Sequence, residues 1–351
     1  MHINKFIDKK PFVIAGPCSA ESEHQLLDIA INIKEKTDVF RAGVWKPRTK
    51  PNSFEGIGED ALLWLRNVKK ETGLKVITEV ATAKHVELCL EFGIDMLWIG
   101  ARTTVNPFYV QEIAEALSGV DIPIFVKNPI HPELALWAGA LERLHKKGIQ
   151  NISAIHRGFF TYESSAFRNE PKWEIPIELK RNFPDLPILC DPSHIAGDTS
   201  LIAELSQIAM DLDMNGLMIE THNNPEEAWS DANQQITPDS LKILLNNLVL
   251  RKRNFEDKTL NFELNKLRER IDKLDEKTVD ILNQRTGLVK DIAEFKIENN
   301  LTIFQLERWF KILEMRKDQA INLGMDPKMI SDIFELIHKY SIITQSKIMK
   351  K

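Results

Sequence analysis

Up to about Ser240 the chain alternates short apolar runs rich in β-branched residues with stretches whose apolar positions recur every three or four residues. The runs are FVIAG from Phe12, VFRAG from Val39, KVITEV from Lys75 and MLWIGA from Met96, then PIFVKN from Pro123, ISAIHRG from Ile152, PILCDP from Pro187 and GLMIET from Gly216. Each is flanked by Gly, Pro or Asp turn signals, and the spacing leaves room for a helix between neighbours. Eight β/α units predict an α/β fold, a (β/α)8 TIM barrel, although an open doubly wound sheet has the same local texture. The polar positions favour the barrel. Cys18, Arg41, Glu79, Arg102, Lys127, Arg157, Asp191 and Glu220 all fall at or just past the C-terminal end of a run. In a barrel those eight ends converge on one face, where such enzymes place their chemistry.

After Leu250 the pattern changes. The segment 251–260, RKRNFEDKTL, is charged, lacks a strand pattern and reads as a linker between a barrel over 1–250 and a small all-α domain over 261–351. Leu264, Leu267, Ile271, Leu274, Thr278, Ile281, Leu288 and Ile292 keep a spacing of three to four, which predicts one long amphipathic helix. LGMDPKM near Gly324 carries stop and start signals, and MISDIFELIHKYSIITQSKIM predicts a last helix. Three helices in so short a stretch bury little surface alone, so a homodimer formed through this domain is expected.

Composition narrows the function classes. A net charge of -5 leaves no broad basic footprint, which argues against nucleic acid as a partner. No run is long and apolar enough for a membrane span, and the first ten residues do not resemble a signal peptide. Three cysteines without a CxxC pair fit a reducing compartment, so a cytoplasmic enzyme is expected.

The segment FRAGVWKPRTKPNSFEG from Phe40 places Arg41, Lys46 and Arg48 within eight positions around a rigid proline. Fixed Arg and Lys side chains suit phosphate or carboxylate, Arg as a planar fork and Lys as a point charge. Arg102, Lys127 and Arg157 arrive on later strand ends, and on one rim the set points to a substrate with at least two anionic groups. A second constellation mixes ligand types: Cys18, His194, Glu220 and Asp231. A thiol, an imidazole and two carboxylates suit a divalent transition metal. Taken singly, Cys18 is more often a small buried apolar residue and Asp231 is usually a helix cap.

The ordered set AGPCS, FRAGxxKPRT, TEV, GAR, VKN, HRG, DPSH, ETH and SDANQQ resembles the type I-beta DAHP synthases over nearly all of residues 1–245. KPRT is its most specific element, because the related KDO8P synthases share the barrel and the GPC start but differ there. The resemblance implies condensation of phosphoenolpyruvate with erythrose 4-phosphate, dependent on a divalent metal ion (Mn²⁺ or similar). It assigns Cys18, His194, Glu220 and Asp231 to the metal, and Arg41, Lys46, Arg102, Lys127 and Arg157 to phosphoenolpyruvate. Erythrose 4-phosphate falls to Lys46, Pro47, Arg48 and Thr49, and Lys127, Lys46 and His194 are the catalytic candidates. VKNP departs from the KRG of many relatives. The runner-up is a KDO8P-synthase-like enzyme acting on arabinose 5-phosphate.

On the long predicted helix Arg285 and Lys296 fall within roughly 20° of one another, Arg268 lies on another face, and Ser341 and Gln345 are one turn apart on the last helix. The pattern LRERIDKLDEKTVDILNQR…FK…ER…S…TQ resembles the all-helical AroQ-class chorismate mutases from about Asn261 to Met349. The resemblance implies that Arg268, Arg285, Lys296, Arg308, Ser341 and Gln345 line a chorismate pocket, with Arg268 reaching into the partner subunit's site. Lys296 and Gln345 are its catalytic candidates. After Arg308 many relatives carry a Glu that contacts the substrate hydroxyl, and here that position is Trp309. Two readings of this domain follow: a mutase that also feeds prephenate or chorismate regulation back to the barrel, or chiefly a dimerisation and ligand-sensing module.

Overall fold

The computed structural model describes residues 7, 11–46, 54–162, 165–252 and 258–350, in two compact units, Met1–Arg253 and Asn254–Lys351. In the first, the eight runs form strands β1 (Phe12–Gly16), β2 (Val39–Arg41), β3 (Lys75–Val80), β4 (Met96–Ile99), β5 (Ile124–Lys127), β6 (Ile152–His156), β7 (Ile188–Cys190) and β8 (Gly216–Glu220). Each pairs in parallel with the next, and β1 pairs with β8 from Phe12↔Gly216 to Gly16↔Glu220, so the sheet is a closed barrel. The open doubly wound alternative is excluded by that last pairing.

Between and after the strands lie α1 (Glu23–Ile33), α2 (Glu59–Thr72), α3 (Ala83–Glu91), α4 (Ala101–Thr104), α5 (Pro107–Ala116), α6 (Leu134–Lys146), α7 (Glu174–Asn182), α8 (Pro192–Ala196), α9 (Ile202–Asp211) and α10 (Pro238–Asn247). Local chemistry sets several of their starts: Ser22, Thr82, Asn106, Asp191 and Thr237 each accept a first-turn N–H, and Pro107, Pro192 and Pro238 occupy first positions where no amide donor is needed. Alternation along the strands divides the core in two. Phe12, Ile14, Val39, Ile77, Met96, Trp98, Phe125, Ile155, Leu189 and Met218 fill the barrel interior, while Val13, Ala15, Phe40, Val76 and Leu97 belong to the layer under the helices. Barrel closure also depends on Gly16, at φ 144°, where a Cβ would lie 2.1 Å from the Arg41 carbonyl oxygen.

The second unit contains α11 (Lys258–Glu298), α12 (Leu306–Asn322) and α13 (Pro327–Met349), with α13 packed on both others. Helix α11 begins three residues inside the stretch read as a linker, because nothing in KTL breaks a helix and the following turns are strong formers. Its packed face carries Val289, Ala293 and Lys296, which are buried at i, i+4 and i+7. The stripe used to predict the helix lies elsewhere: Leu267, Ile271, Leu274, Ile281, Leu288 and Ile292 remain 48–63% exposed. Among the described residues no helix is long and apolar enough to cross a membrane.

Candidate active sites

The C-terminal rim of the barrel gathers the predicted groups because each ends a strand or opens the turn after it. Arg41, Lys127 and Glu220 are the last residues of β2, β5 and β8, and Arg157 and Asp191 directly follow β6 and β7. Ligand atoms of Cys18, Glu220 and Asp231 all lie within 4.8 Å of one another. His194 stands beside this trio, its Nε2 3.8 Å from Glu220 Oε1. Its Nδ1 is 3.0 Å from Asp191 Oδ1, and that carboxylate draws the proton to Nδ1 and leaves Nε2 as the free lone pair.

The donors fit a divalent metal. Burial pushes the Cys18 thiol up to about 12, with Glu220 and Asp231 adding to the shift against Lys46 and Arg41. Two carboxylates and a thiol crowded in a dry site repel in their anionic forms, and a divalent cation is the group that reverses this. The chain already supplies partial neutralisation. Lys46 Nζ lies 2.8 Å from Cys18 Sγ, Arg41 Nη2 donates to Glu220 Oε1 at 2.9 Å, and Arg168 Nη1 donates to Asp231 Oδ1 at 3.0 Å. Burial opposes ionisation of Asp231, but His194, Arg168 and Lys46 outweigh it and hold its carboxyl below the usual range.

The cationic half of the rim is more buried than surface charges would be. Arg41 and Lys127 are 1% and 4% exposed, whereas Arg102 is exposed. Lys127 Nζ pairs with Asp191 Oδ2 at 2.7 Å, and burial, reinforced by Arg41, pulls its pKa down despite that partner. Arg157 is lowered to about 10, by burial first and then by Arg168 and Arg102 against Asp191. Guanidinium groups crowded closely enough to disfavour one another's charge are arranged for an anion. Pro47, Arg48 and Thr49 lie outside the described residues.

Several functional neighbours escaped the sequence reading. Trp98 floors the rim, with the Arg41 guanidinium 5.0 Å and Lys127 Nζ 5.7 Å from its ring centroid. Asn128, the departure in VKNP, accepts from Arg157 N and donates to the carbonyls of Pro129 and Gly158, so it fixes the HRG turn. Arg168 and Asn169 return from the long segment after β6, Asn169 Oδ1 accepting from Arg157 Nη1 at 2.6 Å. Gly197, at φ 72°, leaves room for Arg168, whose Cβ would lie 2.4 Å from an added methyl. Gln234 Nε2 donates to Glu220 Oε2 and Gln235 accepts from Cys18 N, which gives the QQ of SDANQQ its structural task. QQ was part of the SDANQQ motif, whereas no sequence signal singled out Arg168 and Asn169, and only folding brings all four to the rim. His156 of HRG is core: Trp137, Phe159 and Trp173 surround it, and burial lowers it to about 3.

In the second unit, Arg285 Nη1 donates to Ser341 Oγ at 2.7 Å and Lys296 Nζ to the Ile303 carbonyl at 2.6 Å. Ser341, Gln345 and Lys296 are buried. Arg285 and Ser341 line a groove between α11 and α13. Arg268 is not brought to this group. It lies seventeen residues earlier on α11, about 25 Å along the axis, and is exposed, as is Arg308 on α12.

Comparison with known proteins settles the frame for both sites. The model of the DAHP synthetase I family matches residues 2–252. The chain belongs to that family. The chorismate mutase type II family matches residues 267–346, so this member of the DAHP synthetase I family is a bifunctional enzyme of aromatic biosynthesis, a DAHP synthase joined to a chorismate mutase. A phospho-2-dehydro-3-deoxyheptonate aldolase of Thermotoga maritima is 31% identical over 234 residues, 66% of this chain and 67% of that protein. A 2-dehydro-3-deoxyphosphooctonate aldolase of Wolinella succinogenes is 27% identical, over 68% of this chain and 97% of that protein. The crystal structure of the Thermotoga maritima DAHP synthase superposes with a TM-score of 0.61 at 30% identity, covering 67% of each chain. A truncated form of the Thermotoga maritima synthase gives 0.59 at 28%, covering 67% of this chain and 84% of that one.

Proposed function

We propose that the rim around Arg41 is where this DAHP synthase joins phosphoenolpyruvate to erythrose 4-phosphate, and that the cleft around Arg285 is where chorismate becomes prephenate. Arg41 carries the first half of this reading. It is fully buried, one Nη bonds Glu220, and its Nε and Nη1 have no hydrogen-bond partner among the described residues. Buried guanidinium donors left open are costly, and a small bound anion supplies the missing acceptors. Lys127, Arg157 and Arg102 extend the same positive field for the carboxylate and phosphate of phosphoenolpyruvate. Lys46 and the segment through Pro47, Arg48 and Thr49 take the phosphate of erythrose 4-phosphate. Cys18, His194, Glu220 and Asp231 would hold a divalent metal ion, Mn²⁺ or similar, which when bound supplies Lewis-acid polarisation of the aldehyde. The residues' own work is positional, holding both anions so that C3 of phosphoenolpyruvate faces the aldehyde carbon. Lys127, its pKa lowered by burial, is placed to move a proton at its Nζ.

Arg41→Lys keeps the charge but loses the planar fork, and is expected to raise KM for phosphoenolpyruvate roughly ten- to thirtyfold. Initial rates at varied phosphoenolpyruvate check this, and unchanged kinetics would remove Arg41 from the substrate site.

For the helical unit we propose a homodimer. The uncovered stripe Leu267, Ile271, Leu274 and Ile281 supports a second copy as its occupant, and such a pairing could deliver Arg268 to the other subunit's cleft. Sedimentation of the full chain is expected to show a dimer that Ile271→Lys with Leu274→Lys weakens; a monomeric parent chain overturns the assignment.

A further inference from the structure

Among the described residues of the helical unit, two buried polar side-chain atoms lack a hydrogen-bond partner, His338 Nε2 and Gln345 Oε1. Their side chains are seven residues apart on α13 with Ser341 between them, so all three share one face. That face meets Arg285, which donates to Ser341 Oγ. Burial lowers the His338 pKa, and both Arg285 and Lys296 reinforce this, so the imidazole lies within the field of the same cations. From α12, Trp309 lies flat on the imidazole, with ring centroids 3.9 Å apart and planes 10° from parallel. Phe304 approaches the same ring at 6.0 Å and 52°. The stack fixes the plane of the imidazole and therefore the direction of Nε2. It also occupies the position where the mutase resemblance puts a carboxylate on the substrate hydroxyl, and an indole laid face-on cannot replace that acceptor.

We propose that His338 takes over this recognition, its Nε2 hydrogen-bonding the ring hydroxyl of chorismate, and that Trp309 is a positioning residue holding the imidazole in place. This rests on the mutase reading of the cleft. A neutral imidazole can donate or accept at Nε2, and a hydroxyl complements either. Gln345 Oε1, the second open atom, lies two turns along the same face, where another polar group of the bound substrate can meet it.

The test uses the full chain with chorismate and with an analogue lacking only the ring hydroxyl. His338→Leu is expected to lower kcat/KM for chorismate roughly ten- to a hundredfold, and to change it by less than about threefold for the analogue. His338→Gln should recover part of the loss. Trp309→Ala should fall between parent and His338→Leu. Equal losses on both substrates would assign His338 a purely structural role and overturn the proposal, as would no loss on chorismate. If thermal melts show that His338→Leu does not fold, the same two-substrate comparison on His338→Gln decides. Loss of turnover in Arg285→Ala without any effect at His338 defeats this proposal alone. Failure of the parent chain both to turn over chorismate and to bind prephenate by calorimetry defeats the mutase reading and this proposal together.

Discussion

Chelation of divalent cations from the full-length chain is expected to reduce DAHP formation to background while leaving conversion of chorismate to prephenate unchanged. The synthase half of that expectation follows from the donors. Cys18, Glu220 and Asp231 bring a thiol and two carboxylates within 4.8 Å of one another in a largely dry site, with the free nitrogen of His194 beside them. Lys46, Arg41 and Arg168 each contact one of these groups, yet burial still holds the Cys18 thiol at about 12, and a divalent cation would favour its thiolate. On the proposed reading Lys46 and Arg41, which contact Cys18 and Glu220, also bind the substrates. The mutase half follows from its chemistry. A rearrangement of one bound molecule, which the proposed reading has gripped by Arg285 and Lys296, needs no Lewis acid. Assaying both products from one preparation makes the mutase an internal control for folding. Adding Mn²⁺ back should restore the synthase, and full synthase activity in rigorously metal-free protein would sink the metal assignment.

Arg285→Ala is expected to lower kcat/KM for chorismate by on the order of a hundredfold or more, because a charge-assisted bond to a carboxylate is lost in a partly desolvated cleft. DAHP synthesis should be untouched. Arg285 is the strongest candidate for this test because its guanidinium is already oriented, with Nη1 donating to the buried hydroxyl of Ser341. Little reorganisation then remains when the substrate arrives, so its removal is felt in the transition state. The measurement is chorismate disappearance, with and without added prephenate in the synthase assay. A parent chain that does not turn chorismate over, but whose synthase is inhibited by prephenate, would favour the sensing reading of the helical unit.

The barrel was legible from the chain because parallel strands buried on both faces must be continuous apolar runs, and because charges are tolerated only where those runs end. That rule located Cys18, Arg41, Lys127, Arg157 and Glu220 before any geometry was known. Likewise the 3–4 spacing from Leu264 to Ile292 announced a long helix. It did not say which face the chain itself would cover. Helix α11 packs through Val289, Ala293 and Lys296, while the more conspicuous stripe is left open, since periodicity reports amphipathicity and not the identity of the neighbour.

What the sequence determined by itself was the order of elements, the family motifs and the residue types gathered at each site. Tertiary structure alone decided the rest. It closed the sheet through β1 and β8, brought Arg168 and Asn169 back to Asp231 and Arg157, and set Asn128 beneath the HRG turn. It also laid Trp309 on His338, twenty-nine residues away, turning a departure from the mutase pattern into a placed imidazole. The physical reason is the same in each case. Local pattern fixes what a residue can do, but a partner distant in the chain, and the burial that makes an unpaired atom costly, exist only once the fold has formed.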